Sequence, residues 1–294
     1  MTKIGFLACE TTLPGAGERR EDAFEHDLMV KALEPAFEKV GLGFRVIDWE
    51  APERDFHGLD AVMLGTAWNY QDKSDAFLTK LEMLSEAGIA VHNPPEVVRW
   101  NMTKTYLRDL ADAGAHTIPT LWLDTVDTEQ ADAAFARFDC ERLVVKRQIG
   151  AGALGQELLT RGDVSDDWHF DHAAMIQPFL PAIAEEGELS FIFIDGEFSH
   201  ALRKSAAPGE YRIQSMYGGT ESVHSPLAEE RRAAEAIIAS LPFDAPLYAR
   251  IDMLRGKEGL LLMEAEMIEP YLYPVEGPQL GTRLAQAMRK RMTS

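Results

Sequence analysis

Apolar runs alternate with segments of helical spacing over the first 93 residues of the chain. Four apolar runs predict buried strands, at 3–8, 44–47, 61–64 and 89–91. Two stretches with apolar residues three or four positions apart predict helices, over 22–40 and 72–87, and each is followed by a glycine. Strands that alternate with helices are typical of an open α/β sheet, whose ligands bind at the carboxyl ends of the strands.

The segment that follows the third predicted strand, Gly65-Thr66-Ala67-Trp68-Asn69-Tyr70, lies at such a carboxyl end. We therefore expect Thr66, Trp68 and Tyr70 to contact a substrate. The alternative is that Trp68 and Tyr70 only cover the edge of the hydrophobic core.

After residue 93 the pattern changes, and we expect a second unit over 94–178 and a third over 179–294. A predicted helix over 101–113 carries Lys104. A later apolar strand ends at Lys146 and opens into a loop that contains three glycines. Glycine lets the backbone come close to a ligand and lysine supplies a cation beside it, which suits a nucleotide phosphate. Taken alone, the stretch is equally compatible with an ordinary strand and turn.

The last third of the chain is predicted to consist mainly of antiparallel strands. Strands over 189–194 and 198–202 are joined by Asp195-Gly196, a strong signal for a hairpin turn. A loop over 206–220 carries Arg212 and precedes an amphipathic helix. The remaining predicted elements are two long strands and a helix, at 246–254, 259–267 and 278–291.

Three carboxylates are predicted to share one face of the two long strands. Glu264 and Glu266 point the same way because alternate residues of a strand share a face, and Asp252 can lie opposite them. Arg250 lies two residues from Asp252 and shares its face. Clustered carboxylates repel each other unless a cation lies among them, and Mg²⁺ held by carboxylates and phosphates is the natural cation. The alternative is that one or two of them face solvent, which the apolar neighbours at 260–263 disfavour.

Composition limits the class of protein further. A formal net charge of −19 over 294 residues argues against a nucleic-acid partner, but a local cation cluster can still hold ATP. The two cysteines form neither a disulfide framework nor a zinc site and fit a reducing compartment. No apolar run reaches the roughly 20 residues that span a membrane, and the N-terminus does not read as a signal peptide. We therefore expect a cytoplasmic protein without a membrane partner.

With these residues in place, the chain resembles the ATP-grasp ligases over essentially its whole length. The resemblance implies an ATP-grasp fold, in which an N-terminal α/β domain over 1–93 precedes two subdomains that sandwich ATP. The segment 176–183 is similar to that of bacterial glutathione synthetases, and Arg250-Ile251-Asp252 resembles the corresponding piece of D-alanine–D-alanine ligases. The segments 68–70 and 266–273 resemble the group of cyclo-ligases that close O-ureido-serine to cycloserine, which belongs to antibiotic biosynthesis.

The resemblance implies how the residues bind Mg-ATP. Lys104 and Lys146 would hold the α- and β-phosphates, and the flap that begins with Gly150, Ala151 and Gly152 would close over the γ-phosphate. Backbone groups of Phe179 and Leu180 would bind adenine with Gln177 beside it, and Glu188 or Glu185 would hold the ribose. Asp252, Glu264 and Glu266 match the metal positions. Two Mg²⁺ ions are expected, and Mn²⁺ is expected to substitute.

One departure from the family pattern concerns the metal site. The usual sequence there is Glu-x-Asn, whereas this chain has Glu264-Ala265-Glu266. Whether Glu266 replaces the usual asparagine as a ligand stays open at this point.

The reaction that the resemblance implies is activation of a carboxylate to an acyl phosphate, followed by attack of an amine. Arg250, Arg203 and Lys146 would act on the transferring phosphoryl group and the oxyanion, and Arg203 and Arg212 would contact the substrate. A solvated loop charge is the alternative for Arg212. The substrate is expected to be small and amino-acid-like, either joined to a second molecule or closed into a ring, and the resemblance allows a homodimer.

Two rival functions use the same nucleotide site. A small-molecule kinase would transfer the phosphoryl group without ligation. A non-catalytic nucleotide-binding protein would have no need for the lysines and carboxylates together, and their joint presence disfavours it.

Overall fold

The computed structural model describes residues 1–150, 155–213 and 217–293, and the chain has the predicted α/β architecture. Two residues of the predicted flap, Ala151 and Gly152, lie outside the described residues. None of the helices in the described ranges is long and apolar enough to cross a membrane.

The first sheet is parallel, as the N-terminal pattern predicts. Its strands are β1 (Thr2–Ala8), β2 (Leu42–Asp48), β3 (Ala61–Thr66) and β4 (Ala90–His92), in the order β2-β1-β3-β4. The connecting helices are α1 (Ala23–Lys39) and α2 (Ser74–Glu86). All residues of β3 are buried, as expected for a strand that is covered on both faces.

The prediction of a single helix over 101–113 is wrong, because the chain forms two short helices instead. They are α3 (Pro95–Asn101) and α4 (Tyr106–Asp112), and Lys104 lies in the turn between them. The backbone N–H of Lys104 donates to the carbonyl of Gln148 at 2.8 Å. Because Gln148 follows closely after Lys146, this hydrogen bond brings the two predicted phosphate-binding lysines into one region.

The second sheet is antiparallel and carries Lys146 on one of its two inner strands. In chain order, the elements of this part are β5 (Leu121–Leu123), β6 (Val126–Asp127), α5 (Thr128–Phe138), β7 (Arg142–Arg147), β8 (Glu157–Thr160), β9 (His169–Phe170) and β10 (Ala174–Pro178). The sheet has the order β5-β10-β7-β8, while β6 and β9 pair separately. Lys146 on β7 pairs with Met175 on β10.

The third sheet is also antiparallel and carries the three carboxylates. The elements here are α6 (Ala182–Glu185), β11 (Glu188–Ile194), β12 (Glu197–Ser205), β13 (Thr220–His224), α7 (Ala228–Ala239), β14 (Tyr248–Gly256), β15 (Gly259–Glu266) and α8 (Leu280–Arg291). The strand order is β13-β12-β11-β14-β15. The predicted hairpin between β11 and β12 is confirmed, with Asp195 and Gly196 at φ values of 52° and 80°.

Helix α8 packs against α1 of the first sheet, although it follows the third sheet in the chain. Leu280, Leu284 and Met288 are fully buried in the same hydrophobic core as β1. Gly281 lies so close to α1 that a Cβ there would come within 2.1 Å of the Ala32 carbonyl oxygen. Helix α8, from the third predicted unit, thus packs on the first. The predicted unit boundaries at 93/94 and 178/179 stay a prediction.

Candidate active site

A cavity of about 250 Å³ lies where the three sheets meet. Strands of the second and third sheets supply most of its charged wall, and loops of the first sheet close the opposite end. The predicted site residues that line it are Trp68, Lys104, Lys146, Gly150, Gln177, Phe179, Leu180, Glu188, Arg212, Arg250, Asp252, Glu264 and Glu266.

Lys104 and Lys146 enter this cavity with different partners. The Lys104 ammonium lies 2.9 Å from Glu264 Oε1, whereas Lys146 forms no ion pair within the described residues. Burial alone would lower the pKa of Lys104, but the carboxylate of Glu264 outweighs it and the pKa is raised. Burial lowers the pKa of Lys146, against the opposing effect of Glu264. Lys146 is thus a partly buried cation with spare capacity to bind an anion.

The three carboxylates share a face, as the strand alternation predicts. Asp252 pairs directly with Glu264 across β14 and β15, and Arg250 pairs with Glu266. The Arg250 guanidinium binds both Asp252, at 2.9 Å, and Glu266. Its remaining nitrogen donates to the Tyr271 carbonyl at 3.2 Å. Among the described residues no three acidic, histidine or cysteine side chains are close enough to form a ready-made metal cluster.

Lys204 is a site residue that the sequence interpretation did not select. Its ammonium lies 2.7 Å from Glu188 Oε1 and 3.4 Å from Asp252 Oδ1, and only 6% of its side chain is exposed. Burial alone would lower the pKa of Lys204, and the neighbouring Asp252 and Glu188 raise it overall. Glu188 Oε2 is buried without a hydrogen-bond partner in the described structure, and burial raises the pKa of Glu188 to about 7.

The neighbouring Arg203 is not brought to the cavity. Its side chain is 38% exposed and lies 3.9 Å from Glu186. Successive residues of a strand point to opposite faces, so Lys204 faces the cavity and Arg203 faces away. This corrects the expectation that Arg203 acts on the phosphoryl group and the substrate.

The expected adenine segment lies at the end of β10 and directly after it. Gln177 is buried and donates from Nε2 to Thr120 Oγ1 at 3.0 Å. The backbone N–H of Phe179 donates to the Arg142 carbonyl at 2.9 Å, so Phe179 can offer only its carbonyl. Leu180 keeps its N–H without a partner in the described residues. Glu185 is exposed and outside the cavity wall, which leaves Glu188 as the candidate that faces it.

The predicted substrate residues of the first sheet divide between cavity and core. Trp68 lines the cavity, and its Nε1 donates to the Glu269 carbonyl at 3.0 Å. Thr66 does not, because its buried hydroxyl lies 2.6 Å from His26 Nδ1. Tyr70 is buried against Phe77 and reaches only a smaller adjoining cavity.

Arg212 lies at the cavity and already has internal partners. Its guanidinium lies 2.6 Å from Glu210 Oε2 and 3.8 Å from the centre of the Tyr217 ring. The Arg212 side chain lowers the pKa of Glu210 to about 2, so the pair is ionised. A ligand carboxylate would have to displace Glu210 to bind this arginine.

Further cavity residues come from two irregular segments, the N-terminal loop and the segment after β15. Arg20 binds Asp22 through two nitrogens, each at 2.8 Å, and both residues line the wall beside Trp68. Glu269 and Tyr273 line it from the segment after β15. They lie in irregular segments, where no strand or helix period indicates which way a side chain points.

The chain is similar to several known proteins. Residues 4–93 match the family described as the N-terminal domain of D-cycloserine synthetase DcsG. The chain is 28% identical to the cycloserine biosynthesis protein DcsG of Streptomyces lavendulae, over 90% of this chain and 94% of that protein. A shorter match, 31% identical over 39% of the chain, is to a probable alpha-L-glutamate ligase of Shewanella halifaxensis.

Solved structures give the same result for the fold. The crystal structure of D-cycloserine synthetase DcsG superposes with a TM-score of 0.82 at 25% identity, and covers 99% of both chains. A D-alanine–D-alanine ligase of Bacillus anthracis superposes with a TM-score of 0.68 at 17% identity, over 100% of this chain and 99% of the other.

Proposed function

We propose that this chain, an ATP-grasp ligase, activates the carboxylate of a small amino-acid-like substrate as an acyl phosphate and joins it to a nitrogen. Ring closure within one molecule, of the kind that yields cycloserine, is the form of the reaction that we favour. The similarity to a cycloserine biosynthesis protein over 90% of the chain supports this choice.

The single observation that carries the proposal is the joint placement of two lysines and three carboxylates in one cavity. Lys104 and Lys146 would bind the phosphates of ATP, and Lys146 is the better placed because no carboxylate pairs with it in the described structure. Phosphoryl transfer needs positioning and neutralisation of charge more than covalent help, which this set of side chains can supply.

The nucleoside would lie against the segment after β10. The Leu180 N–H and the Phe179 carbonyl are a donor and an acceptor on adjacent residues, which matches the edge of adenine. The unpartnered Glu188 Oε2 would accept a hydrogen bond from a ribose hydroxyl. These contacts would select ATP by shape and by its hydrogen-bonding groups.

The residues present fit magnesium. Asp252, Glu264 and Glu266 offer the carboxylate oxygens that Mg²⁺ prefers, and all three face the cavity that would hold the phosphates. Without a metal ion, ion pairs with Arg250 and Lys104 neutralise the charge of these carboxylates. When bound with ATP, the ion would neutralise charge on the phosphate oxygens. We expect two ions, with Mn²⁺ as a substitute.

The chain's own cations would then hold the transferring group. Arg250 and Lys204 bracket Asp252 and could each turn a nitrogen to a phosphoryl oxygen or to the oxyanion of the tetrahedral intermediate. Arg212 could leave Glu210 for the carboxylate of the substrate, and with its loop would exclude water from the acyl phosphate.

A phosphate-release screen tests the proposal. The protein with Mg-ATP is offered amino acids and their ureido and hydroxamate analogues, and products are examined by mass spectrometry. The expected result is ADP, phosphate and a new C–N bond, and release that requires an amine separates a ligase from a kinase. A phosphorylated product without ligation would favour the kinase. Absence of any ADP release, with intact Mg-ATP binding, would favour a non-catalytic protein.

The proposed cellular location and partners follow from the free cysteines and from the use of Mg-ATP. Both cysteines are free, which agrees with the reducing cytoplasm where Mg-ATP is available. We propose a small molecule as the partner, without nucleic acid or membrane, and a homodimer as the assembly to be tested by light scattering.

A further inference from the structure

Glu269 is a buried carboxyl in the cavity that the steps above leave without a role. It is 8% exposed and follows three residues after Glu266. A smaller adjoining cavity shares part of the same wall, formed by Lys104, Gly150, Glu264, Glu266 and Glu269. Glu269 therefore faces the region where the phosphates of ATP and the acid to be activated have to meet.

The surroundings of Glu269 differ from those of the other carboxylates in the cavity wall. Asp252, Glu264, Glu266 and Glu188 each form an ion pair with a lysine or an arginine. Glu269 forms none within the described ranges, and its side chain accepts one hydrogen bond there, from Gln71 Nε2 to Oε1 at 3.3 Å. Its second oxygen is thus left to act on a ligand.

The first sheet holds Glu269 in place from the other side of the cavity. Trp68 Nε1 donates to the backbone carbonyl of Glu269 at 3.0 Å, and Gln71 binds the side chain. Both donors lie in the segment between β3 and α2. A carboxyl that is restrained at its backbone and at one oxygen has the fixed geometry that proton transfer requires.

Burial makes Glu269 a stronger base than an ordinary glutamate. The pKa of Glu269 is raised to about 8, mainly by burial and then by the charge of Glu266, while Gln71, Lys104 and Arg250 oppose the rise. The other titratable groups that sense it are the phenols of Tyr70 and Tyr248, whose own pKa values burial raises, so they stay neutral. A base with a pKa near neutral is well matched to proton transfer at physiological pH.

We propose that Glu269 is the general base of the ligation step, an inference that rests on the proposed ligase function. The nitrogen attacks the carbonyl carbon of the acyl phosphate, and the C–N bond forms. The bond from that carbon to the phosphate oxygen breaks, and phosphate leaves with the electron pair. The proton lost by the nitrogen moves to the carboxylate of Glu269 and then to solvent through the cavity.

Two readouts separate activation from ligation. Hydroxylamine traps an acyl phosphate without help from an enzyme base, so hydroxamate formation reports activation alone. Formation of the amide or ring reports the complete reaction. The probe is O-ureido-serine, followed by whichever amino acid gives most phosphate release in the screen described above.

Glu269→Gln is expected to keep hydroxamate formation and the KM for ATP, and to lower kcat for ligation by about 100-fold or more. In the unmodified protein kcat for ligation is expected to rise with pH up to about 8, the pKa of Glu269, and the variant should lack this rise. Glu258→Gln is the matched control, because Glu258 is exposed in the turn between β14 and β15.

Gln71→Leu tests the positioning of the base. The hydrogen bond from Gln71 lowers the pKa of Glu269, so its removal should move the rise in kcat to higher pH. A Glu269→Gln variant with unchanged kcat and pH profile, or with a raised KM alone, would overturn the inference while leaving the ligase proposal intact. An unmodified protein that forms neither hydroxamate nor ADP would overturn both.

Discussion

Asp252 and Glu264 lie directly opposite each other on β14 and β15, yet each is neutralised by a different cation. Arg250 lies 2.9 Å from Asp252, and Lys104 lies 2.9 Å from Glu264. Burial alone would raise the pKa of both carboxyls, but these cations outweigh it and hold both pKa values below the ordinary range. The pair is therefore ionised at neutral pH and able to receive a metal ion.

Asp252→Asn should impair magnesium-dependent activity in a protein that still folds. We expect magnesium-dependent ADP formation to fall by about 100-fold or more, because one of the charged ligands is lost. The free energy of unfolding should also fall, by up to about 3–5 kcal/mol, since Lys204 and Arg250 lose a buried partner. Magnesium titration and thermal unfolding measure the two effects. An unchanged magnesium requirement would exclude Asp252 as a ligand.

Lys146→Ala should abolish the thermal protection given by Mg-ATP. A ligand at about 100 times its Kd stabilises a protein by about 2.7 kcal/mol, and this increment should disappear with the buried ammonium. The midpoint without nucleotide should hold or rise, because burial of an unpaired charge is costly. Lys257→Ala, in the exposed turn between β14 and β15, is the control and should keep full protection.

Arg203 and Lys204 are neighbours on β12 that point to opposite faces, so a variant of one is a control for a variant of the other. Lys204→Met should lower kcat strongly, because Glu188 and Asp252 lose a cation and the phosphoryl group loses a donor. Arg203→Ala should change the free energy of unfolding by no more than about 0.5 kcal/mol and leave turnover intact. Steady-state kinetics of both variants would decide, and equal losses would contradict the assignment of strand faces.

Glu188→Gln should weaken the preference for ribose. If Glu188 Oε2 accepts a hydrogen bond from the sugar, the protein should discriminate between ATP and its deoxyribose analogues by about 1.5–3 kcal/mol. The variant should bind both nucleotides with similar Kd values in calorimetry. If the variant still discriminates between ATP and its deoxyribose analogues, Glu188 would lie beside the phosphates and not beside the ribose.

Glu269 should also make stability depend on pH. Its pKa is about 8 in the folded protein and 4.5 in an ordinary glutamate, so ionisation is disfavoured by folding. Its contribution to stability is complete below about pH 4.5 and is lost as the pH rises through 8. Thermal unfolding of Glu269→Gln against the unmodified protein should show a difference that grows in favour of the variant over this range. A constant difference would mean that the pKa is not raised.

The sequence was sufficient wherever a regular period determined the side-chain direction. The two-residue period of a strand placed Glu264 and Glu266 on one face, and the pairing of β14 with β15 brings Asp252 opposite Glu264 as expected. The turn at Asp195-Gly196 was likewise determined locally, because both residues adopt left-handed backbone that this dipeptide tolerates.

Other positions depended on contacts that no local pattern encodes. Lys104 was assigned to a helix, but its N–H bonds to Gln148, more than forty residues away, and the helix is interrupted there. Arg203 and Lys204 are adjacent on β12, and adjacent strand residues point to opposite faces. The sequence did not determine the register of this strand, so it did not show which of the two side chains faces the cavity. Helix α5 did carry a usable signal, the capping box formed by Asp127 and Gln130, which the interpretation passed over.

The contact between α1 and α8 has a consequence for biosynthesis. The ribosome releases the first sheet long before α8 exists, so the surface that Leu280 and Leu284 cover stays exposed while the intervening segments are made. The N-terminal part therefore cannot mature as an independent cotranslational unit, and nascent chains would need shielding from one another until α8 arrives. Truncation before α8 should leave an insoluble product even though all residues that line the cavity have been encoded.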